Sequence, residues 1–182
     1  ARASMSPGSS SRRKASEPVW EVGIIVAEST RGSREAGQAR VESRTKGDLM
    51  SRTIHHVFAD TVKNHPKLPA LREKVNGQWQ TTTWEDYSKI VRTIARGFMK
   101  LGVEKGDGVS IIGANCKRWF IADLAAIAAG GVPAGIYTTS SPEQCQYITE
   151  HSDSVVVVVQ NAEHLAKFKQ VRDQLPKVKA LV

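Results

Sequence analysis

Five hydroxyl-bearing side chains stand in a row at Tyr137-Thr138-Thr139-Ser140-Ser141. The residues before them spell a short strand. Gly130 and Gly131 can take the positive φ that stops the alanine-rich helix ahead of them. Val132 to Ile136 is then an apolar run of strand length. The hydroxyl run therefore falls just beyond a strand end, where open α/β sheets bind ligands, and hydroxyls there can meet phosphate or ribose. The same groups also suit plain loop and capping work. Ser141 can cap a new helix, Pro142 fits its first position, and Gln144 completes a Ser-x-x-Gln capping box.

Other constellations that carry chemistry are missing from the sequence. There is no G-x-x-x-x-G-K-[ST] phosphate loop and no G-x-G-x-x-G following a strand. Gly106-Asp107-Gly108 precedes a strand instead and reads as a turn. Without a G-x-S-x-G elbow, a hydrolase triad has no support. Asp107, Asp123 and Asp153 are scattered and lack the logic of a carboxylate pair. His55 and His56 are adjacent, so they point to different faces of a helix and make poor partners for one metal. Cys116 and Cys145 have neither CxxC spacing nor a nearby histidine pair, and read as structural thiols of a reduced protein. No catalytic residue and no metal ligand is assigned on these grounds.

The elements that must position the hydroxyl run follow a regular order. Asp48 to His65 reads as a helix, with Ile54, Val57, Phe58, Thr61 and Val62 at helical spacing and Pro66 after its end. Pro69–Val75 and Gln78–Thr82 flank Asn76-Gly77, a strong hairpin signal. Thr83 caps a long helix whose stripe is Trp84, Tyr87, Ile90, Val91, Ile94, Ala95 and Phe98, ended by Gly102. Then come strand 109–113, helix 117–129, strand 132–136, helix 142–150, strand 155–159, helix 162–175 and strand 178–182. The third of these strands is five consecutive valines, a β-branched run suited to burial on both faces of a parallel sheet. The expected fold is α/β, a mostly parallel sheet with helices on its faces and right-handed crossovers, preceded by a β-hairpin.

Ahead of this block, residues 1–47 are rich in Ser, Arg and Gly and show no sustained period. They are expected to be a disordered or linker tail. Trp20 to Ala27 is their one apolar island, readable as a short strand or as a docking segment. The formal charge is +8, and nine basic against five acidic side chains place half of it in residues 1–47. Such an excess suits a solvated tail or contact with anionic lipid. Nucleic acid is not an expected partner, because no stripe of Lys and Arg interleaves with aromatics. The five acidic residues argue against an organelle transit peptide. No apolar run approaches the roughly 20 residues that span a bilayer, so any membrane contact is expected to be peripheral. The chain opens on Ala1 and stops at Val182 within an apolar run, and is expected to be a piece of a longer protein.

Three stretches carry a resemblance: TTTWEDYSKI, LGVEKGDGVSIIGANCKRWF and AAIAAGGVPAGIYTTSSPEQCQYI. Over residues 50–182 the chain resembles the amino-terminal part of the AMP-forming acyl-CoA synthetases, the adenylate-forming ligases. GIYTTSSPEQCQYI most resembles the long-chain fatty acid members of the bubblegum type. The resemblance makes residues 48–182 the first part of an AMP-binding domain. With its unpaired cysteines the protein is expected to be cytoplasmic, free or peripheral on an intracellular membrane. The resemblance implies an enzyme that joins a long-chain fatty acid to CoA with ATP and Mg²⁺, through an acyl-adenylate, releasing pyrophosphate and AMP. The family's Ser/Thr/Gly-rich phosphate loop and its downstream acidic, Arg and Lys residues have no counterpart here. In related acetyl-CoA synthetases an aromatic followed by two glycines lies near the CoA nucleotide. Tyr137, Thr138 and Thr139 occupy that position, with threonines for glycines, and are the candidate cofactor-binding residues. The reading from another class is a non-enzymatic α/β module that binds a nucleotide or a partner through its strand-end loops.

Overall fold

The computed structural model describes residues 22–23 and 52–182. Strand β1 (Val22–Gly23) pairs antiparallel with Arg72 and Glu73 of the next strand. The rest of the Trp20–Ala27 island, the remainder of the expected tail and residues 48–51 lie outside the described residues. Helix α1 (Ile54–Asn64) starts later than its periodicity suggests, because Thr53 leaves the helical conformation and its side chain accepts from the His56 amide. Of the α1 stripe only Phe58 is buried, while Ile54 and Val57 are exposed. Its ring meets Tyr87 edge-on at 5.3 Å.

Strands β2 (Pro69–Val75) and β3 (Gln78–Thr83) form the expected antiparallel hairpin. Asn76 and Gly77 turn it at φ 51° and 81°, the left-handed pair that a type I′ turn demands. Helix α2 (Trp84–Lys100) begins at once, with the Thr83 hydroxyl accepting from the Asp86 amide. Its buried face is Tyr87, Ser88, Val91, Ala95 and Phe98. Ile90 and Ile94, expected in the same stripe, sit at its exposed flank.

From there strands and helices alternate: β4 (Gly108–Ile112), α3 (Lys117–Ala128), β5 (Val132–Ile136), α4 (Pro142–His151), β6 (Ser154–Val159), α5 (Ala162–Gln170) and β7 (Ala180–Leu181). The sheet runs β5-β4-β6-β7 and every pairing is parallel. The valine strand β6 is interior, between β4 and β7. Its faces alternate. Val156 joins Val109, Ile111, Ala122 and Ala125 under α2 and α3, whereas Val157 joins Ile112, Ile136, Cys145 and Phe168 under α4 and α5. Apolar side chains on both faces are what a strand covered by helices on both sides requires.

The carboxyl-terminal elements are shorter than the sequence reading. Helix α5 stops at Gln170, not Leu175, and a 3₁₀ turn follows at Arg172–Gln174. There the Arg172 guanidinium turns back to donate to the carbonyls of Leu175 and Val178, and Pro176 cannot extend a helix. The last strand is correspondingly short. At Gly130 the chain takes φ 89° and closes α3 with bonds from Gly130 to Ile127 and from Gly131 to Ala126, a Schellman stop. Gly131 is not left-handed; a Cβ there would stand 3.0 Å from the Asp107 carbonyl oxygen. Among the described residues no helix is long and apolar enough to cross a membrane.

Candidate functional site at the carboxyl edge of the sheet

Helix α3 leaves β4 toward one face of the sheet, and α4 leaves β5 toward the other, as the two cores show. In open α/β sheets ligands bind outside the carboxyl ends of the strands. A depression of ≈ 440 Å³ opens there, lined by Gly113, Ala114 and Asn115 after β4 and by Gly135, Ile136, Tyr137 and Thr138 at the end of β5, with Trp119 of α3. The Trp119 ring lies over Gly135: a Cβ on that glycine would meet Cζ2 at 3.4 Å. Phe120 packs edge-on against Trp119 with centroids 5.7 Å apart.

Two of the three candidate residues, Tyr137 and Thr138, line this depression, and Thr139 follows at the exposed tip of the turn. Tyr137 is 83% exposed, a large aromatic ring with little protein against it. The amide of Ser140 donates to the Tyr137 carbonyl at 3.0 Å and closes the turn. The capping box below it forms in full. Ser141 accepts from the Gln144 amide, and Gln144 Oε1 accepts from the Ser141 amide at 2.9 Å. Ser140 and Ser141 are thus occupied with loop and cap, and Tyr137, Thr138 and Thr139 take no part in the cap.

Both walls of the depression are held from the β6–α5 segment. Gln160 Oε1 accepts from the Ala114 amide at 2.8 Å. Lys167 Nζ donates to the carbonyls of Thr138 and Ser140 at 2.7 and 2.9 Å. Beneath, burial pushes the Cys145 thiol up, against the pull of the Lys167 charge. Burial lowers His164, with Lys167 adding to the effect, so its imidazole is neutral near pH 7. The His164 Nδ1 is buried with no hydrogen-bond partner.

Sequence reasoning overlooked Gly113–Asn115, Trp119, Gln160 and Lys167. Trp119 was visible as an aromatic near a helix start, and its place over β5 follows only from the β4–β5 pairing. The two clamps have no local signal, being 46 and 29 residues from what they hold. Cys116 and Cys145 are free thiols. Among the described residues no group of three or more His, Cys, Asp or Glu could hold a metal ion.

Residues 58–182 match the family described as AMP-binding enzyme. The chain is 42% identical over 147 residues to the long-chain-fatty-acid–CoA ligase ACSBG2 of Xenopus laevis, covering 81% of this chain and 20% of that protein. It is 35% identical over 150 residues to ACSBG1 of Rattus norvegicus, covering 82% of this chain and 21% of that one. The chain thus spans about a fifth of the length of these relatives. In fold it is similar to a putative long-chain-fatty-acid CoA ligase from Rhodopseudomonas palustris, with TM-score 0.63 at 22% identity over 74% of this chain and 33% of that chain. The anthranilate CoA ligase AuaEII, in complex with anthranoyl-AMP, aligns with TM-score 0.61 at 19% identity over 69% of this chain and 23% of its own.

Proposed function

The chain belongs to the AMP-binding enzyme family, and from that premise we propose that it is the first part of the AMP-binding domain of a long-chain fatty acid–CoA ligase. The reaction is fatty acid, ATP and CoA to acyl-CoA, AMP and pyrophosphate. The identity to ligases of that name, 42% and 35% over most of this chain, carries the reading. The residues described here supply the carboxyl edge of a parallel sheet and one walled depression. Their role is binding and positioning. Tyr137 offers a ring face, Thr138 and Thr139 offer hydroxyls, and together they take the nucleotide end of CoA. An exposed aromatic beside hydroxyl donors matches a base joined to a phosphorylated ribose.

The activity is tested with the protein expressed from its whole reading frame. CoA-dependent AMP release with palmitate and Mg²⁺ is the expected result, and its absence with any long-chain acid would refute the ligase. Residues 1–182 alone are expected to give no ATP–pyrophosphate exchange. Robust exchange from them would show that the phosphate-handling groups lie within this segment after all.

A further inference from the structure

We propose that Lys167 is a positioning residue for the carboxyl-edge depression, holding the Tyr137–Ser140 turn in the shape that receives the nucleotide end of CoA. This rests on the reading of that edge given above. The turn has one internal bond, from the Ser140 amide to the Tyr137 carbonyl. The carbonyls of Thr138 and Ser140 both accept from the Lys167 ammonium, at 2.7 and 2.9 Å, and the Cys145 thiol reaches the Ser140 oxygen only at 4.0 Å. Ser140 is buried, so its carbonyl cannot turn to bulk water instead. An ammonium has three donors and no acceptor, so it can serve two carbonyls at once without competing for the turn's own amides.

The arrangement repeats on the facing wall. Gln160 accepts from the Ala114 amide, and a Cβ on Gly113 would stand 3.0 Å from the Gln160 Cβ. One segment, from the end of β6 through the second turn of α5, therefore fixes both sides of the opening. Lys167 sits between the buried His164 and Phe168, which anchor that face of α5. Its charge thus reaches the turn from a fixed base. Losing the ammonium frees Thr138 and Ser140 to rotate, and the Tyr137 ring moves with them.

The test pairs amide exchange with steady-state kinetics in the full-length protein, using K167M, with K169M as control because Lys169 is exposed on the same helix. Exchange at the Ser140 amide is expected to quicken about tenfold in K167M while the β6 amides Val156 and Val157 hold their protection. KM for CoA is expected to rise about tenfold with kcat within about threefold, and K167R to recover part of the loss. K169M is expected to match the unmodified protein. Should K167M lose protection in β6, K167Q replaces it, with the same readings. Unchanged exchange at the turn overturns the clamp. Faster exchange with an unchanged KM for CoA overturns the positioning role, and Y137A then separates the causes. If Y137A raises that KM, Lys167 is only structural. If Y137A does not, the CoA reading of the edge has failed.

Discussion

The two edges of the parallel sheet are built to opposite rules. At the amino edge the chain is packed tightly around Gly108. The Gly108 backbone runs so close to the next crossover that an added Cβ would stand 2.1 Å from the Ser152 carbonyl oxygen. Hydroxyls of Ser110, Ser154 and Ser152 form a chain there with 2.8 Å spacings, the first two fully buried. At the carboxyl edge the loops stand apart, a large aromatic faces outward, and side chains from another element hold the walls. A closed edge spends its residues on stability, and an open edge leaves some free for a ligand. The contrast teaches where substitutions should act on folding and where on binding.

The largest effect is expected at Gly108. G108A places a methyl far inside van der Waals contact distance of a backbone oxygen and should cost about 3 kcal/mol or more by denaturant titration, since neither backbone can yield cheaply. A loss under about 1 kcal/mol would show that the amino edge is not tightly packed. Thr149, also at this edge, is fully buried with an Oγ1 that has no partner, beside a cavity of ≈ 120 Å³. T149V keeps the shape, removes the unpaired hydroxyl and should stabilise by about 1 kcal/mol. A destabilisation of that size would mean that the hydroxyl is paired within this cavity.

Across the sheet, Y137A should change stability by no more than about 0.5 kcal/mol, because the ring is mostly exposed. It should nonetheless raise KM for CoA about tenfold. The reverse pattern, a folding defect with unchanged CoA kinetics, would erase the distinction between the edges. The smallest effect lies away from both, where α2 begins. Hydrogen bonds from Lys67 and Lys89 hold the Glu85 carboxyl down at about 2, against an ordinary 4.5. A depressed carboxyl contributes stability that is fully present above its unfolded pKa and is lost as pH falls through its folded one. Acid should therefore erode a slight stabilisation between about pH 4.5 and 2, and E85Q should remove only that part of the slope. Denaturant midpoints at several acidic pH values decide this.

Local chemistry made much of the architecture legible in the sequence. Asn76-Gly77 named its own turn, Ser141 and Gln144 their own cap, and five valines an interior strand, because each signal acts within a few residues. Strand order was not legible, since a period of two says nothing about neighbours. The end of α5 was misread because Arg172 and Pro176 override an apolar spacing that continues to Leu175. The lining of the carboxyl-edge depression was half legible, Tyr137 and Thr138 standing in a polar run after a strand. Lys167 and Gln160 looked like any surface residues, because what they hold lies far along the chain.

Amide exchange of the full-length protein with and without saturating CoA asks most directly whether the open edge is the ligand edge. Protection is expected at 113–115 and 137–140, with no change at 108, 131 and 152–154. Protection confined to the closed edge, or none at 137–140, would contradict it.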